Sequence, residues 1–178
     1  MDIEEQRRAV EGARHGDLEA WELLYRNAYG RLWAYSARHA GTDAAEDLVA
    51  ETMARAVAGI ARYRWGPSGF DAWLFGILRH VCADHHRRDS RDRGRPVPSP
   101  QSADSGPGDA IELDEEHAQI RRAFERLSES EQQLLELRVI AGLSGDEVAR
   151  ILGKRASAVR TAQSRALAHL RELLGQSW

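Results

Sequence analysis

The stretch LSGDEVARILGKRASAVRTAQSRALAHLREL, Leu143 to Leu173, decides how this chain folds. Ser144 followed three residues later by Glu147 is a capping-box pattern, and it opens a short helix over Asp146 to Leu152. Gly153 breaks that helix, and the spacing predicts a longer one from about Ala156 to Leu174. A short capped helix, a tight turn and a longer helix make a helix-turn-helix. Val148, Ile151, Leu152, Val159 and Leu167 fall on its inward side. Lys154, Arg155, Ser157, Arg160, Thr161, Gln163, Ser164 and Arg165 are left around the N-terminal half of the second helix, the half that enters a major groove. Arginine pairs bidentately with guanine and glutamine with adenine, while serine and threonine reach phosphate or a base edge. From Arg150 to Arg171 there are six basic residues and no acidic one. A merely solvated face usually mixes its charges, so this segment is expected to meet duplex DNA.

Outward from this motif the pattern stays helical. Ser128 with Glu131 repeats the capping box and starts a helix ending near Ala141 and Gly142, and Ile111 to Arg126 reads as another. Upstream lies RGRPVPSPQSADSGPGD, Arg93 to Asp109, which holds four of the five prolines. So few large apolar side chains cannot offset the entropy of ordering, and the stretch reads as a flexible linker. It divides the chain into an N-terminal domain over 1–92, a linker over 93–110 and a C-terminal domain over 111–178. In the first, Leu18, Trp21, Leu24, Tyr25, Ala28, Leu32 and Tyr35 recur at helical spacing behind Asp17 as N-cap. Leu48, Thr52, Ala56 and Ile60 mark a second helix, with Asp43 as its expected cap. The turn-rich loop RYRWGPSG, 62–69, leads into a third helix over Phe70 to Arg88, with Phe70, Trp73, Leu74, Ile77, Leu78 and Val81 as its core stripe. No strand is expected. The fold class is all-α, two small helical domains on a flexible linker.

The bulk numbers narrow the function. The 178 residues carry a net charge of -3, but the charge is segregated. Six arginines lie between Arg79 and Arg95 against Asp84, Asp89 and Asp92, while acid collects at Asp43–Glu51 and Asp109–Glu116. Phosphate binding needs a local basic face, not a basic chain. No apolar stretch approaches the ~20 residues of a membrane span, and the charged N-terminal stretch lacks the apolar segment of a secretory signal. The single cysteine, Cys82, fits a reducing cytoplasm. No phosphate loop or nucleophile elbow is present, so neither catalysis nor a cofactor is expected. His80, Cys82, His85 and His86 have the side chains of a zinc site. On a helix, however, they span more than one face, so metal binding is not expected.

With these elements in place, the chain resembles the extracytoplasmic-function (ECF) group of the sigma-70 family, over about Gly16 to Leu174. DAAEDLVAET (43–52) is similar to region 2.2, which implies that Asp43, Glu46, Asp47 and Glu51 bind core RNA polymerase on the clamp helices of its largest subunit. FDAWLFGILRHVCADHHRR (70–88) is similar to regions 2.3 and 2.4. With the loop before it, it implies contacts to the -10 element by Arg62, Arg64, Trp65, Ser68, Arg79, His80, Arg87 and Arg88. Tyr63 and Trp65 either stack on an extruded base or plug the helix junction; the sequence leaves both open. Residues 127–153 resemble region 4.1 and the start of 4.2, and KRASAVRTAQSRALAHLREL (154–173) resembles the helix that reads the -35 element. The resemblance further implies the flap of the second-largest subunit and promoter DNA as partners. An anti-sigma factor, wedged between the two domains of a compact state, would complete the set. Family regions 1.1 and a folded region 3 have no counterpart. Two departures stand out: His80 replaces a common asparagine, and Gln163 sits where many members carry a bulkier or basic residue. The extended linker spans at most ~55–70 Å, comparable to roughly 16–20 base pairs, which suits two separated promoter elements. A stand-alone helix-turn-helix regulator is the alternative; it explains 128–174 and leaves the acidic helix and the arginine-aromatic loop without a role.

Overall fold

The computed structural model describes residues 1–66, 69–92 and 111–175, and all regular structure among them is helical. The expectations for Ser68 and for the linker 93–110 lie outside the described residues. In chain order the helices are α1 (Ile3–Arg14), α2 (Leu18–Ala40), α3 (Thr42–Gly59), α4 (Gly69–Asp92), α5 (Ile111–Glu125), α6 (Glu129–Leu135), α7 (Gly145–Ile151) and α8 (Ala156–Gly175). A 3₁₀ turn, Ile60–Arg62, follows α3, and a π turn, Glu136–Ile140, follows α6.

The first helix has no counterpart in the sequence expectations. Its buried face consists of Ala9, Val10 and Ala13, and three small residues make a thin periodic signal. Asp2 caps it, accepting from the Glu5 N–H at 2.7 Å. Asp17 caps α2 as expected, accepting from the Glu19 and Ala20 N–H groups at 2.9 and 3.3 Å. The line Ala20, Leu24, Ala28, Leu32, Tyr35 is buried. Leu18 and Tyr25, expected on the same face, point outward, Leu18 being 81% exposed. Each is rotated by roughly 100° or more from the Ala20–Leu24–Ala28 line.

Asp43 does not cap α3. The cap position is Gly41, at φ +85°, and no side chain bonds the first N–H groups. This left-handed residue turns α2 directly into α3, so the helix starts ahead of Asp43, which lies in its first turn near the positive end of the helix dipole. In α3, Leu48, Thr52 and Ala56 are buried as expected, and Ile60 just beyond it is too. On α4, Phe70, Leu74, Leu78 and Val81 are buried while Trp73 and Ile77 pack half-buried at the edge. This helix runs to Asp92, one turn past the expected end.

Both capping boxes form. The Ser128 N–H donates to Glu131 Oε2 at 2.8 Å and the Glu131 N–H to Ser128 Oγ at 3.4 Å. At Ser144 and Glu147 the same two bonds measure 2.6 and 3.3 Å. The two halves do not stand apart: one cluster of buried side chains runs from Leu24, Leu32 and Leu78 into Leu137, Leu143, Val148 and Val159. A smaller cluster, Ala123, Leu127, Leu135, Ala166 and Leu173, ties α5 and α6 to α8.

Candidate nucleic-acid interface

The helix-turn-helix is built as the sequence implies. Gly153, at φ +63°, makes the turn, and the Lys154 N–H closes it on the Ala149 carbonyl at 2.8 Å. Fully buried Val148 and Val159 lock α7 to α8. Lys154, Arg155, Ser157, Arg160, Thr161, Ser164 and Arg165 are all exposed. From Ser157 onward they follow the i, i+3, i+4, i+7, i+8 rhythm of one helix face. Gln163 lies off that face. It is half-buried between the fully buried Val159 and Ala166, and its Oε1 accepts from Arg138 Nε at 2.9 Å.

The arginine-aromatic loop is anchored from two sides. Tyr63 is buried and plugs the junction, edge-on to Phe70 at 5.9 Å and tilted on Trp73 at 4.9 Å. Burial pushes its hydroxyl up to about 12, against the lowering charges of Arg150 and Arg14. Trp65 is half-buried, its ring edge-on to Tyr63. Helix α1 holds both ends of the loop: Arg14 donates to the carbonyls of Ile60 and Tyr63, and Gln6 accepts from the Phe70 N–H and donates to Asp71 at 2.9 Å. Arg62 and Arg64 stay exposed, Arg64 resting on the Ala61 and Tyr63 carbonyls at 3.2 Å.

Along α4, His80, Arg87 and Arg88 are exposed. Asp84 pairs with Arg87 and with Arg55 of α3, and these hydrogen bonds hold its carboxyl below its ordinary value. Arg79 is half-buried, because its guanidinium donates to the Ile151 carbonyl of α7 at 3.0 Å. Cys82 is core, its thiol pushed up to about 12 by burial, while His80 is exposed and the rings of His85 and His86 lie 6.2 Å apart. Among the described residues no three His, Cys, Asp or Glu side chains come together as metal ligands. On α3, Asp43, Glu46, Asp47 and Glu51 are exposed on one side, with Glu51 also holding Arg55 at 2.7 Å; Leu48 beside them is core.

Among the described residues, polar contacts join the halves across these surfaces. Arg31 donates to the Ala141 carbonyl at 3.0 Å and pairs with Asp71 at 2.6 Å. Arg79 reaches Ile151, as above. The Arg150 guanidinium lies against Gly66, where an added Cβ would come within 2.9 Å of it. The most enclosed contact is Glu136, 4% exposed in the π turn, which takes Arg38 and, at 2.9 Å, His39 Nε2 from α2. Arg38 also stacks 4.3 Å from the Phe124 ring centroid. Burial pushes the Glu136 carboxyl up, yet hydrogen bonds and charge from His39 and Arg38 outweigh it and leave the group below its ordinary value. Arg38, His39, Glu136 and Arg138 were not among the sequence candidates. A lone carboxylate inside the apolar run LLELRVI was the available signal, since Glu is rarely buried unless paired.

Two family models match, sigma-70 region 2 over residues 24–92 and sigma-70 region 4 over residues 117–170. The ECF RNA polymerase sigma factor SigD of Mycobacterium tuberculosis is 39% identical over 132 residues, 72% of this chain. The chain spans 62% of that relative's length. The ECF RNA polymerase sigma factor ShbA of Streptomyces griseus is 36% identical over 137 residues, which cover 74% of this chain and 72% of the relative. In structure, the sigma factor RpoE of Bartonella quintana, solved with the anti-sigma factor NepR, superposes with a TM-score of 0.68 at 24% identity, covering 89% of this chain and 98% of that one, a likeness of fold. No helix among the described residues is long and apolar enough to cross a membrane. With both regions matched in order and relatives of this identity, the chain belongs to the ECF group of the sigma-70 family.

Proposed function

We propose that this chain is an alternative sigma factor that directs core RNA polymerase to a specific set of promoters and assists strand opening there. The observation that carries the reading is the pairing, on one chain, of a region 2 match with a region 4 match whose second helix presents an unbroken basic and hydroxyl face. In this reading, Asp43, Glu46, Asp47 and Glu51 dock on the clamp helices, and the C-terminal half meets the flap of the second-largest subunit. Arg62, Arg64, Trp65, Ser68, Arg79, His80, Arg87 and Arg88 contact the -10 element. The exposed face of α8, from Lys154 to Arg165, reads the -35 element. The protein acts by binding, with no bond-making step of its own, in the cytoplasm where polymerase works. The packing of α7 on Arg79 and Gly66 supports a further element of the reading: the halves must separate before both promoter elements are engaged. An anti-sigma factor that favours the closed arrangement is the natural inhibitor.

The test is transcription of fragmented genomic DNA by core polymerase, with and without the protein, followed by sequencing of RNA 5′ ends. Discrete new starts that share two upstream motifs are expected. Tight, specific DNA binding without polymerase and no new starts would instead make the chain a stand-alone regulator.

A further inference from the structure

The resemblance places Gln163 among the residues of the -35 reading helix, and glutamine there suggests adenine, whose N6 and N7 match the amide. The geometry gives this side chain another task. It lies on the inward side of α8, one turn after fully buried Val159 and one before fully buried Ala166. Its Oε1, the atom an adenine N6–H would need, accepts from Arg138 Nε at 2.9 Å. Arg138 is itself committed, because a second guanidinium nitrogen donates to the Leu143 carbonyl. Leu143 directly precedes Ser144, the N-cap of α7. A single arginine thus joins the π turn, the chain entering α7, and the middle of α8.

We propose that Gln163 is a positioning residue: together with Arg138 it pins α8 to the turn at Leu143 and so sets how Arg160, Ser164 and Arg165 are presented to the bases. The proposal rests on the reading of α8 as the -35 helix. Gln163 then contributes to affinity at every -35 sequence and to the choice of base at none. No other carboxamide occurs between Ala156 and Gly175, so the outward face reads DNA through lysine, arginine and hydroxyl chemistry.

The two roles diverge under substitution. Gln163→Glu keeps an acceptor for Arg138, while a glutamate that read bases would accept from cytosine N4 instead of pairing with adenine. Gln163→Leu fills the half-buried site and removes the acceptor. Holoenzymes formed with the wild type, Q163E, Q163L and R138L would each transcribe a promoter library randomised across the -35 element. Q163E is expected to keep the wild-type base preference at every position, with activity close to wild type. Q163L and R138L should each lose about tenfold, the scale of one hydrogen bond to a charged group, spread evenly over all -35 sequences. The double variant should lose no more than R138L alone, since Arg138 also holds the Leu143 carbonyl. A switch from adenine to cytosine at one position in Q163E, or a preference erased at one position only in Q163L, would overturn the proposal. If the wild type itself supports no polymerase-dependent starts, the sigma-factor reading fails and this inference falls with it. Normal wild-type starts with altered Q163E preference sink the inference alone.

Discussion

The molecule carries the two surfaces proposed to meet DNA, and they stand in opposite conditions. The outer face of α8 is open: Arg155, Arg160, Thr161, Ser164 and Arg165 all point to solvent. The surface formed by α4 and the loop before it is partly covered, with Arg79 bonded to the Ile151 carbonyl and Gly66 under the Arg150 guanidinium. The cover is α7, the first helix of the same helix-turn-helix that α8 completes. Presenting one surface therefore does not free the other. In the proposed reading, a factor that holds two promoter elements at once trades the contact between its halves for contacts with DNA and polymerase, and the internal contact sets how much of the binding energy goes into opening.

The open side should respond most strongly to substitution. Replacing Arg160 and Arg165 together by alanine should lower promoter-specific transcription by the largest factor, since a bidentate arginine–base pair is worth about 1–3 kcal/mol. The closed packing should be unchanged by small-angle scattering. Wild-type transcription by the double variant at every salt concentration would remove α8 from the DNA interface. The covered side is tested by Glu136→Ala, which strips Arg38 and His39 of their shared partner. A hydrogen bond to a charged group is worth about 1.5–3 kcal/mol, so the closed form should lose roughly tenfold or more in population and the radius of gyration should rise. An unchanged radius would show that the apolar seam alone holds the halves together.

Acid should act in the same direction. The Glu136 carboxyl is depressed in the closed form, so its contribution is present at neutral pH, above the ordinary carboxylate range, and is lost as pH falls through the depressed value. Scattering across an acid titration should show the wild type expanding at a pH where Glu136→Ala is already open. The smallest effect belongs to the cap between the two surfaces. Ser144→Ala should destabilise α7 by about 1 kcal/mol, visible as a lower thermal midpoint with the base preference intact.

What could be read from the sequence follows from distance along the chain. The capping boxes at Ser128 and Ser144 and the turn at Gly153 are local, determined by residues three or four apart, and they form where expected. The apolar stripes of α3 and α4 are equally local. The junction of the halves is not: Glu136 meets Arg38 and His39, 98 and 97 positions upstream. No periodicity carries that pairing. Gln163 stands among the sequence candidates as a base reader, and its placement differs for a related reason. Its residue type suits base reading, but its place between Val159 and Ala166 turns it inward, where Arg138 is its hydrogen-bond partner. Tyr63, which the sequence left between two roles, is resolved by packing against Phe70 and Trp73 into the plug, whereas Trp65 keeps part of its surface exposed.

The clasp of α1 on the loop has a practical side. Gln6 and Arg14 lie two helical turns apart and grip the loop at Phe70 and Asp71 on one end and at Ile60 and Tyr63 on the other. Trimming the first fourteen residues to obtain a tidier fragment for crystallisation would take both grips away, and a bulky affinity tag fused directly before Asp2 would crowd the helix cap.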